Sequence, residues 1–234
     1  MFGQAFKSRV AVITASTSGI GRETARLLAQ GGAETVVING RNADTGAKVL
    51  EQLSAALPAT NFRFIAGDLN APEQSHALFD QVEREIGRID ILVHCGGSQV
   101  RPEFFTRMNP MMAPGGTIVA IASDAGKVAT PAETMIGAMK AAVIMFSRTL
   151  AMEVSRQGIR VNVVTPSLVA NTVSYDRVMS GETSSKIFGK ATAKAKLGFP
   201  TPKDVAPLAV FLSSPYASKI TGQAVSVNGG ISTA

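Results

Sequence analysis

Short apolar runs alternate with segments of helical periodicity along most of the chain. The apolar runs lack the alternation of half-exposed strands, which is typical of strands buried on both faces of a parallel sheet. They predict seven strands: Val10–Thr14, Thr35–Asn39, Phe62–Ala66, Ile89–His94, Thr117–Ala122, Arg160–Val164 and Ala224–Val227. The segments between them predict helices at Arg22–Gln30, Asp44–Leu57, Pro72–Ile86, Thr134–Ser155 and Lys203–Ser213. Repeated strand–helix–strand units indicate an α/β protein with a doubly wound parallel sheet and helices on both faces.

Two segments interrupt this alternation. Residues 98–114, between Gly97 and Gly115, connect the fourth and fifth strands. This connection is short, but it is long enough for a crossover, which needs at least about 10–12 residues. We expect the phenylalanines and methionines of this segment to pack against the core. Residues 171–202 are irregular and rich in Lys, Ser, Thr and Gly, and loops of that length are usually lids or binding segments. We therefore predict a substrate loop at about 171–202.

Composition and charge restrict the class of protein. Of 234 residues, 45% are hydrophobic and 17% are charged, which excludes disorder as the main state. The single cysteine, Cys95, excludes an internal disulfide framework and favours a reducing, cytoplasmic location. No uninterrupted apolar stretch approaches the roughly 18 residues of a membrane span, and the N-terminus lacks a signal-peptide core, so no membrane partner is expected. No metal site is predicted.

The net charge of +6 indicates an anionic partner. Aromatic residues are scarce, with 11 Phe, 2 Tyr and no Trp, and this argues against a nucleic-acid surface built on base stacking.

A glycine-containing turn follows the first predicted strand. The sequence Thr14-Ala-Ser16-Thr-Ser18-Gly19-Ile20-Gly21 leads directly into the first helix. Glycines let the backbone turn tightly and approach a ligand closely, and a helix N-terminus offers free N–H groups to a pyrophosphate. This position, after strand one and before helix one, favours a nucleotide site.

With this turn, the chain resembles the short-chain dehydrogenase/reductase family over nearly its whole length. The family motif T-G-x-x-x-G-x-G maps onto residues 14–21, with Ala15 replacing its first glycine. The family's N-N-A-G motif corresponds to residues 94–97, where only the final Gly97 is kept, and its I-R-V-N-x-V-x-P-G segment to residues 159–167. The tail, residues 220–230, matches the family's final strand.

The resemblance implies a single Rossmann-type dinucleotide-binding domain over residues 1–234. Asp68 occupies the place of the family's adenine-contacting Asp, and Thr172 the place of the residue that binds the nicotinamide carboxamide. The cofactor-binding residues expected from the resemblance and from the turn are Thr14, Ser16, Ser18, Gly19, Ile20, Gly21, Arg41, Asp68, Gly97, Lys140, Pro166 and Thr172.

The end of the second strand predicts which dinucleotide is bound. An acidic residue there would bind the ribose diol of NAD(H), but this sequence has Gly40 followed by Arg41. A guanidinium can hold a 2′-phosphate with two hydrogen bonds, and Arg22 could add charge, so we predict NADP(H) in preference to NAD(H). The alternative is that Arg41 is only a solvated loop residue.

The catalytic set implied by the resemblance is incomplete. The family uses a Ser that hydrogen-bonds the substrate oxygen, a Tyr that exchanges the proton, and a Lys that lowers the pKa of that Tyr and binds ribose. Ser123 and Lys140 match two of them, but the position four residues before the Lys is Ile136, which has no proton to give. The family's fourth member, an Asn on the crossover helix, is matched poorly by Asn109.

Several residues are candidate substitutes, each with an alternative structural role. Glu133 could act as an acid/base if buried, or could interact with the helix dipole. His94 could titrate near neutral pH or be a structural residue, and Cys95 could be redox-active or simply buried. Tyr175, in the predicted loop, could reach over the site, whereas Tyr216 lies far away in sequence.

These observations support three hypotheses. The first is an NADP(H)-dependent oxidoreductase that reduces carbonyls or oxidises alcohols, on an acyl-carrier-linked, coenzyme-A-linked or alicyclic substrate, with activity weakened by the missing Tyr. The second is an NADP(H)-binding pseudoenzyme that acts as a sensor or scaffold. The third is an internally deleted product whose cofactor site is not assembled.

Partners are predicted on weaker patterns. Lys186, Lys190 and Lys194 would lie on one face if helical, as either a solvated surface or a site for the phosphate of an acyl carrier or coenzyme A. The resemblance implies a homodimer or homotetramer, although the short crossover reduces one pairing surface.

Overall fold

The computed structural model describes residues 2–96, 111–182, 185, 189 and 194–233. Within these residues the chain forms one seven-stranded sheet in which all paired strands are parallel. The strands are β1 (Val10–Thr14), β2 (Thr35–Gly40), β3 (Asn61–Ala66), β4 (Ile89–His94), β5 (Met112–Ile121), β6 (Arg160–Pro166) and β7 (Ala224–Val227). The helices are α1 (Gly19–Gln30), α2 (Ala43–Ala56), α3 (Pro72–Glu85), α4 (Thr134–Glu153), α5 (Val173–Ser180) and α6 (Pro202–Ser213). The predicted doubly wound fold is confirmed.

Strand order places the candidate ligand crevice. The sheet runs β3-β2-β1-β4-β5-β6-β7, so the chain builds outwards from β1 in one direction and then from β4 in the other. Ligands of such sheets bind beyond the carboxyl ends of the strands, where the order reverses. Here that place is the gap between β1 and β4, which pair in register from Ala11–Ile91 to Thr14–His94.

Two apolar layers hold the sheet between its helices. Ala11 and Ile13 of β1 face one layer, which also contains buried residues of α1, α2 and α6. Val12, between them, faces the other layer with buried residues of α3 and α4. Every residue of β1, β2 and most of β4 is buried, which explains why their sequences are continuously apolar instead of alternating.

β5 differs from its predicted bounds more than any other strand. β5 begins at Met112, well before the predicted Thr117, because Ile89 pairs with Met112 before a register shift in β4. The Pro and Gly residues of this early part hide the strand from pattern analysis. Met111 and Met112 are buried in the core, as expected for the crossover segment, whose residues 97–110 lie outside the described part of the chain.

The predicted loop at 171–202 contains a helix. Thr172 caps α5 by accepting a hydrogen bond from the N–H of Tyr175 at 3.2 Å. Its hydroxyl also donates to the carbonyl of Val169 at 2.7 Å. The resemblance assigns Thr172 to the nicotinamide carboxamide. Threonine is also a favoured N-cap residue, and the loop prediction for 171–202 does not include this helix.

Helix α4 is, within the described residues, the one helix long and apolar enough to span a membrane by length and composition, with a mean hydropathy of 1.4. The expectation of no membrane span rests on uninterrupted apolar runs, and Lys140 and Arg148 interrupt the apolar residues of α4. One side of α4 buries Val143, Ile144, Ser147 and Leu150. Its remaining faces carry Met145 and Met152, which are exposed.

A buried carboxylate ties the amino ends of β1 and β4 together. Asp90 is 2% exposed and accepts hydrogen bonds from the backbone N–H of Val10 at 2.8 Å and from the guanidinium of Arg9 at 2.9 Å. Arg88 donates to the same carboxylate at 3.1 Å and to the carbonyl of Ser8 at 2.6 Å. The network locks the start of β1 beside β4, at the end of the sheet opposite the crevice.

Replacing Asp90 tests this anchor. Asp90→Ala leaves the N–H of Val10 unpaired, while the half-exposed arginines regain water, so we expect a loss of about 1–3 kcal/mol in the free energy of unfolding. Asp90→Asn should lose less because its amide oxygen still accepts. Chemical denaturation measures the free energy of unfolding of both variants, and Glu51→Ala, at an exposed position of α2, is the control. An Asp90→Ala loss no larger than that of the control would contradict the anchor.

Candidate functional site

A cavity of about 710 Å³ opens beyond the carboxyl ends of the strands. The glycine turn, the ends of β2, β5 and β6, and the starts of α4 and α5 surround it. Ten of the predicted site residues line it: Ser18, Gly19, Ile20, Gly21, Arg41, Asp68, Ser123, Lys140, Pro166 and Thr172. Thr14 and Ser16 lie below the turn instead and are fully buried, while Gly97 lies outside the described residues.

Hydrogen bonds beneath the glycine turn determine its shape. The Ser16 hydroxyl donates to the carbonyl of Ile13 at 2.6 Å and accepts from the N–H of Asn39 at 2.9 Å. The Asn39 side chain accepts from the N–H of Ala15 at 3.1 Å and donates to carbonyls beyond β3. Ser16 therefore shapes the cradle from below. Asn39, which sequence reasoning missed, shares this role, and its signal was an amide at the end of an apolar strand.

The conformation and packing of the turn require glycine at two positions. A Cβ at Gly21 would lie 2.7 Å from the carbonyl oxygen of Ala15, and Gly19 adopts a φ of +57°. No side chain of Ser18 caps α1, so the first N–H groups of the helix remain directed at the cavity. Such an N-terminus can hold a phosphate.

The end of β2 excludes a larger residue. A Cβ at Gly40 would come within 2.6 Å of the Cγ2 of Thr17, so an acidic side chain would not fit there without movement of that Thr. Arg41 lines the cavity next to it. Arg22 does not line it, because its guanidinium donates to the side chain of Gln52 on α2 at 2.7 Å.

The opposite end of the cavity brings Ser123 and Lys140 together. Ser123 follows β5 and its Oγ accepts from the N–H of Ala125 at 3.2 Å, which caps a short 3₁₀ turn. The Nζ of Lys140 donates to the carbonyl of Ile121 at 3.4 Å, and burial lowers the pKa of Lys140. Ile136 lines the same wall, one turn before Lys140.

Glu133 stands at the N-cap position of α4 and also lines the cavity. Its side chain makes no capping hydrogen bond, so the expected interaction with the helix end is not formed as a hydrogen bond. Partial burial raises the pKa of the Glu133 carboxyl.

The remaining titratable candidates are held in neutral forms. Burial, with a smaller effect of the Lys140 charge, lowers the pKa of His94 to about 4, and Thr14 Oγ1 lies 3.1 Å from its Nδ1. Burial raises the pKa of the Cys95 thiol to about 12, so Cys95 is not a reactive thiolate near neutral pH. These findings favour the structural alternatives for both residues.

Tyr175 does not reach over the site. It is absent from the cavity lining and packs edge-on against Phe199, with ring centroids 6.4 Å apart. The prediction that it could supply the missing phenol therefore finds no support in this geometry. α5 directs the side chain of Tyr175 towards the segment before α6 instead.

A buried network connects Ser123 to the C-terminal tail. Asp124, 4% exposed, accepts from the Ser232 hydroxyl at 2.6 Å, the Asn228 amide at 3.1 Å and the Ser226 hydroxyl at 3.2 Å. Ile231, in the same tail, lines the cavity. Sequence analysis missed this contact because only the fold brings residues 124 and 226–232 together.

His94 should make stability depend on pH. Its pKa is about 4 when folded and near 6.5 when unfolded, so between these values the unfolded chain binds the extra proton. Stability therefore falls as pH falls through this window, by up to about 3 kcal/mol. Comparing denaturation at pH 7 and pH 4, His94→Gln should show a smaller loss than wild type, while His76→Gln serves as the control. Equal losses in wild type and His94→Gln would refute a buried neutral His94.

Comparison with known proteins agrees with this architecture. A family model described as short chain dehydrogenase matches residues 9–111, and one described as enoyl-(acyl carrier protein) reductase matches residues 102–232. The 3-oxoacyl-[acyl-carrier-protein] reductase FabG of Haemophilus influenzae is 32% identical over 250 residues, covering 96% of this chain and 98% of that protein.

Solved structures extend the likeness to three dimensions. L-sorbose reductase from Gluconobacter frateurii, complexed with NADPH and L-sorbose, has a TM-score of 0.86 at 27% identity and covers 100% of this chain and 99% of that one. A 7α-hydroxysteroid dehydrogenase complexed with NADH and 7-oxo glycochenodeoxycholic acid has the same TM-score and identity, with 98% of each chain covered. With the sheet order, the glycine turn and the sequence matches in agreement, the chain belongs to the short-chain dehydrogenase/reductase family.

Proposed function

We propose that this protein is an NADP(H)-dependent oxidoreductase that interconverts a carbonyl and a hydroxyl group, built as a single domain over residues 1–234. The observation that carries the proposal is one cavity that joins a phosphate-binding turn to Ser123 and Lys140. Relatives named as reductases of 3-oxoacyl-carrier and sugar substrates support the reaction class. The free Cys95 fits the cytoplasmic location that we infer for it.

The cavity residues fit a dinucleotide. Gly19 and Gly21 add no side chain to the turn at the cavity, and Asp68, where the resemblance expects the adenine contact, lines the same cavity. Relatives have been solved with NADPH and with NADH, so the end of β2 decides between them. Gly40, packed against Thr17, leaves no room for an acid, and Arg41 offers a cation for a 2′-phosphate. This combination supports NADP(H).

The reacting end can orient a substrate carbonyl. The Ser123 hydroxyl can donate a hydrogen bond to the substrate oxygen, and the Lys140 ammonium can bind ribose hydroxyls and stabilise developing negative charge. The bound dinucleotide supplies or accepts the hydride. Ile136, at the position where the family resemblance expects Tyr, supplies no proton, and we therefore expect slow turnover.

The substrate class is inferred from the relatives and the surface. An acyl-carrier-linked, coenzyme-A-linked or alicyclic ketone fits the named relatives. The exposed lysines Lys194, Lys196 and Lys203 could contact the phosphate of an acyl carrier or coenzyme A. Lys186 and Lys190 lie outside the described residues.

A second function is favoured by one observation, the apolar Ile136 in the catalytic wall. A protein that binds NADP(H) without hydride transfer, as a sensor or scaffold, would keep the cofactor cradle and lose only the proton donor. Binding without turnover would support it. A folded protein without any binding would instead support the internally deleted product.

Paired measurements of binding and turnover test the proposed function. Arg41→Ala should weaken NADPH binding about 10- to 100-fold, because it removes a charge-assisted contact to phosphate, and should leave NADH binding unchanged. Fluorescence titration measures both dinucleotides, and NADPH oxidation is followed over a panel of ketones.

Arg148→Ala, an exposed arginine on α4, is the matched control and should bind NADPH as wild type does. If wild type binds NADH as tightly as NADPH, the cofactor preference is wrong. If it binds NADPH and turns over no ketone or alcohol, the oxidoreductase function is wrong.

We also propose that the protein forms a homodimer or homotetramer through α4. An apolar stripe on this helix exposes Ala138, Ala142, Met145 and Met152, with Met145 59% and Met152 79% exposed. Two copies of the stripe could pack against each other and bury both.

Charge on this stripe should dissociate the assembly. The double variant Met145→Glu/Met152→Glu is expected to run as a monomer in light-scattering chromatography, because burying four carboxylates per dimer is costly. Leu197→Glu, at an equally exposed apolar position elsewhere, is the control. An unchanged mass for the double variant would place the interface on another surface.

A further inference from the structure

Three side chains at the start of α4 line the wall of the cavity. Glu133, Ile136 and Lys140 are separated by three and four residues, which places them on one face of the helix. The middle member of this row cannot exchange a proton. The first member is a carboxyl group one turn away from it, and Ser123 lines the same cavity.

The Glu133 carboxyl is uncommitted within the part of the chain that the structure describes. Its backbone N–H donates to the carbonyl of Thr130 at 3.1 Å and its carbonyl accepts from the N–H of Gly137, so the main chain is held in place. Its side chain neither caps the helix nor forms an ion pair with any described residue. A positioned backbone with a free carboxyl facing a cavity is the arrangement that an acid/base group requires.

The other candidate proton donors are either absent from the cavity lining or too weakly acidic. His94 is held beside Thr14 in its neutral form and is not part of the cavity lining. Cys95 lines the cavity as a thiol whose pKa burial raises to about 12, which makes it a weak acid. Tyr175 packs against Phe199.

We propose that Glu133 is the proton donor in carbonyl reduction, and the acceptor in alcohol oxidation, in place of the phenol that Ile136 lacks. This inference rests on the proposed function and names the acid of that same site.

Carbonyl reduction adds one hydride and one proton to the substrate. The carbonyl carbon accepts the hydride that the reduced nicotinamide dinucleotide supplies, and the π electrons of the C=O bond move to its oxygen. That oxygen takes the carboxyl proton of Glu133, so the products are an alcohol, the oxidised dinucleotide and a Glu133 carboxylate. Solvent at the cavity mouth returns the proton, and alcohol oxidation runs the same transfers in reverse.

The surroundings of Glu133 support a protonated form at higher pH than an ordinary glutamate. Partial burial raises its pKa. The other ionisable groups that line the cavity are Lys140 on α4, Asp124 after β5, Cys95 after β4, Arg177 on α5, and Arg41 and Asp68 at the adenosine end. Among these groups, Asp124 is satisfied by three hydrogen bonds and Lys140 is partly desolvated.

Kinetics of carboxyl variants test the proposal in the full-length protein. With saturating NADPH and a ketone that wild type reduces, Glu133→Gln should lower kcat by about 100-fold or more, which is the usual contribution of a general acid. The NADPH dissociation constant should stay within about twofold, since Glu133 lies away from the phosphate turn. Glu133→Asp should recover part of the rate, and Glu153→Gln, on the exposed end of the same helix, is the matched control.

The pH profile distinguishes an acid from a structural residue. Wild-type reduction should slow as pH rises through the pKa of Glu133, and this limb should vanish in Glu133→Gln. Adding Ile136→Tyr to Glu133→Gln should restore turnover, because a phenol then stands one turn before Lys140. In the unloaded protein, carbon-13 NMR should show the Glu133 carboxyl titrating above 4.5, the value of an unperturbed glutamate.

Each contrary result has a separate meaning. If wild type turns over and Glu133→Gln matches it in rate and pH profile, the inference is overturned while the proposed function stands. A carboxyl that titrates at or below 4.5 overturns the inference as well. If wild type binds NADPH and never turns over, both fail, and gain of activity by Ile136→Tyr alone would assign the loss to that position.

Discussion

The pairing of β1 with β2 on one side and β4 on the other is the constraint on which the site depends. Because the strand order reverses between β1 and β4, the loops that follow them diverge and open a crevice. Buried polar groups then define the floor of that crevice. Ser16 and Asn39 join the turn after β1 to β2 and β3, and Thr14 accepts from the N–H of Cys95 after β4. Hydrogen bonds within the protein therefore define the shape of the cradle.

Burial has opposite effects on the groups around the reacting end. It lowers the pKa of Lys140 and raises the pKa of Glu133, so the charged forms of both are less favoured than in water. It leaves His94 and Cys95 neutral. The two perturbed groups lie on one face of α4 and line the same cavity as Ser123.

Family membership and chemistry rest on different parts of the molecule. The fold is shared with relatives named for quite different substrates. The wall of α4 and the tail held by Asp124 line a different part of the cavity from the glycine turn. The fold therefore supports the cofactor class, while the reaction has to be argued from individual side chains.

Ser123 and Lys140 are predicted as catalytic residues by the family resemblance and not by a local pattern. The sequence by itself determined the order of the strands and most helices and the glycine turn, because buried parallel strands and tight turns leave strong local patterns. It could not determine that Ser16 works beneath the turn or that Arg22 bonds to Gln52, since a side chain's direction depends on its neighbours in space.

Only the tertiary structure decided which candidate acid faces the cavity. The sequence alone presents Glu133, His94 and Tyr175 as candidate proton donors and does not decide between them. Packing turns Tyr175 towards Phe199 and buries His94 beside Thr14. It leaves Glu133 on the cavity wall, with a carboxyl that has no partner among the described residues. Contacts between residues distant in sequence determine burial, and burial determines both the accessibility and the pKa of each group. The local sequence therefore does not predict which of the three side chains faces the cavity.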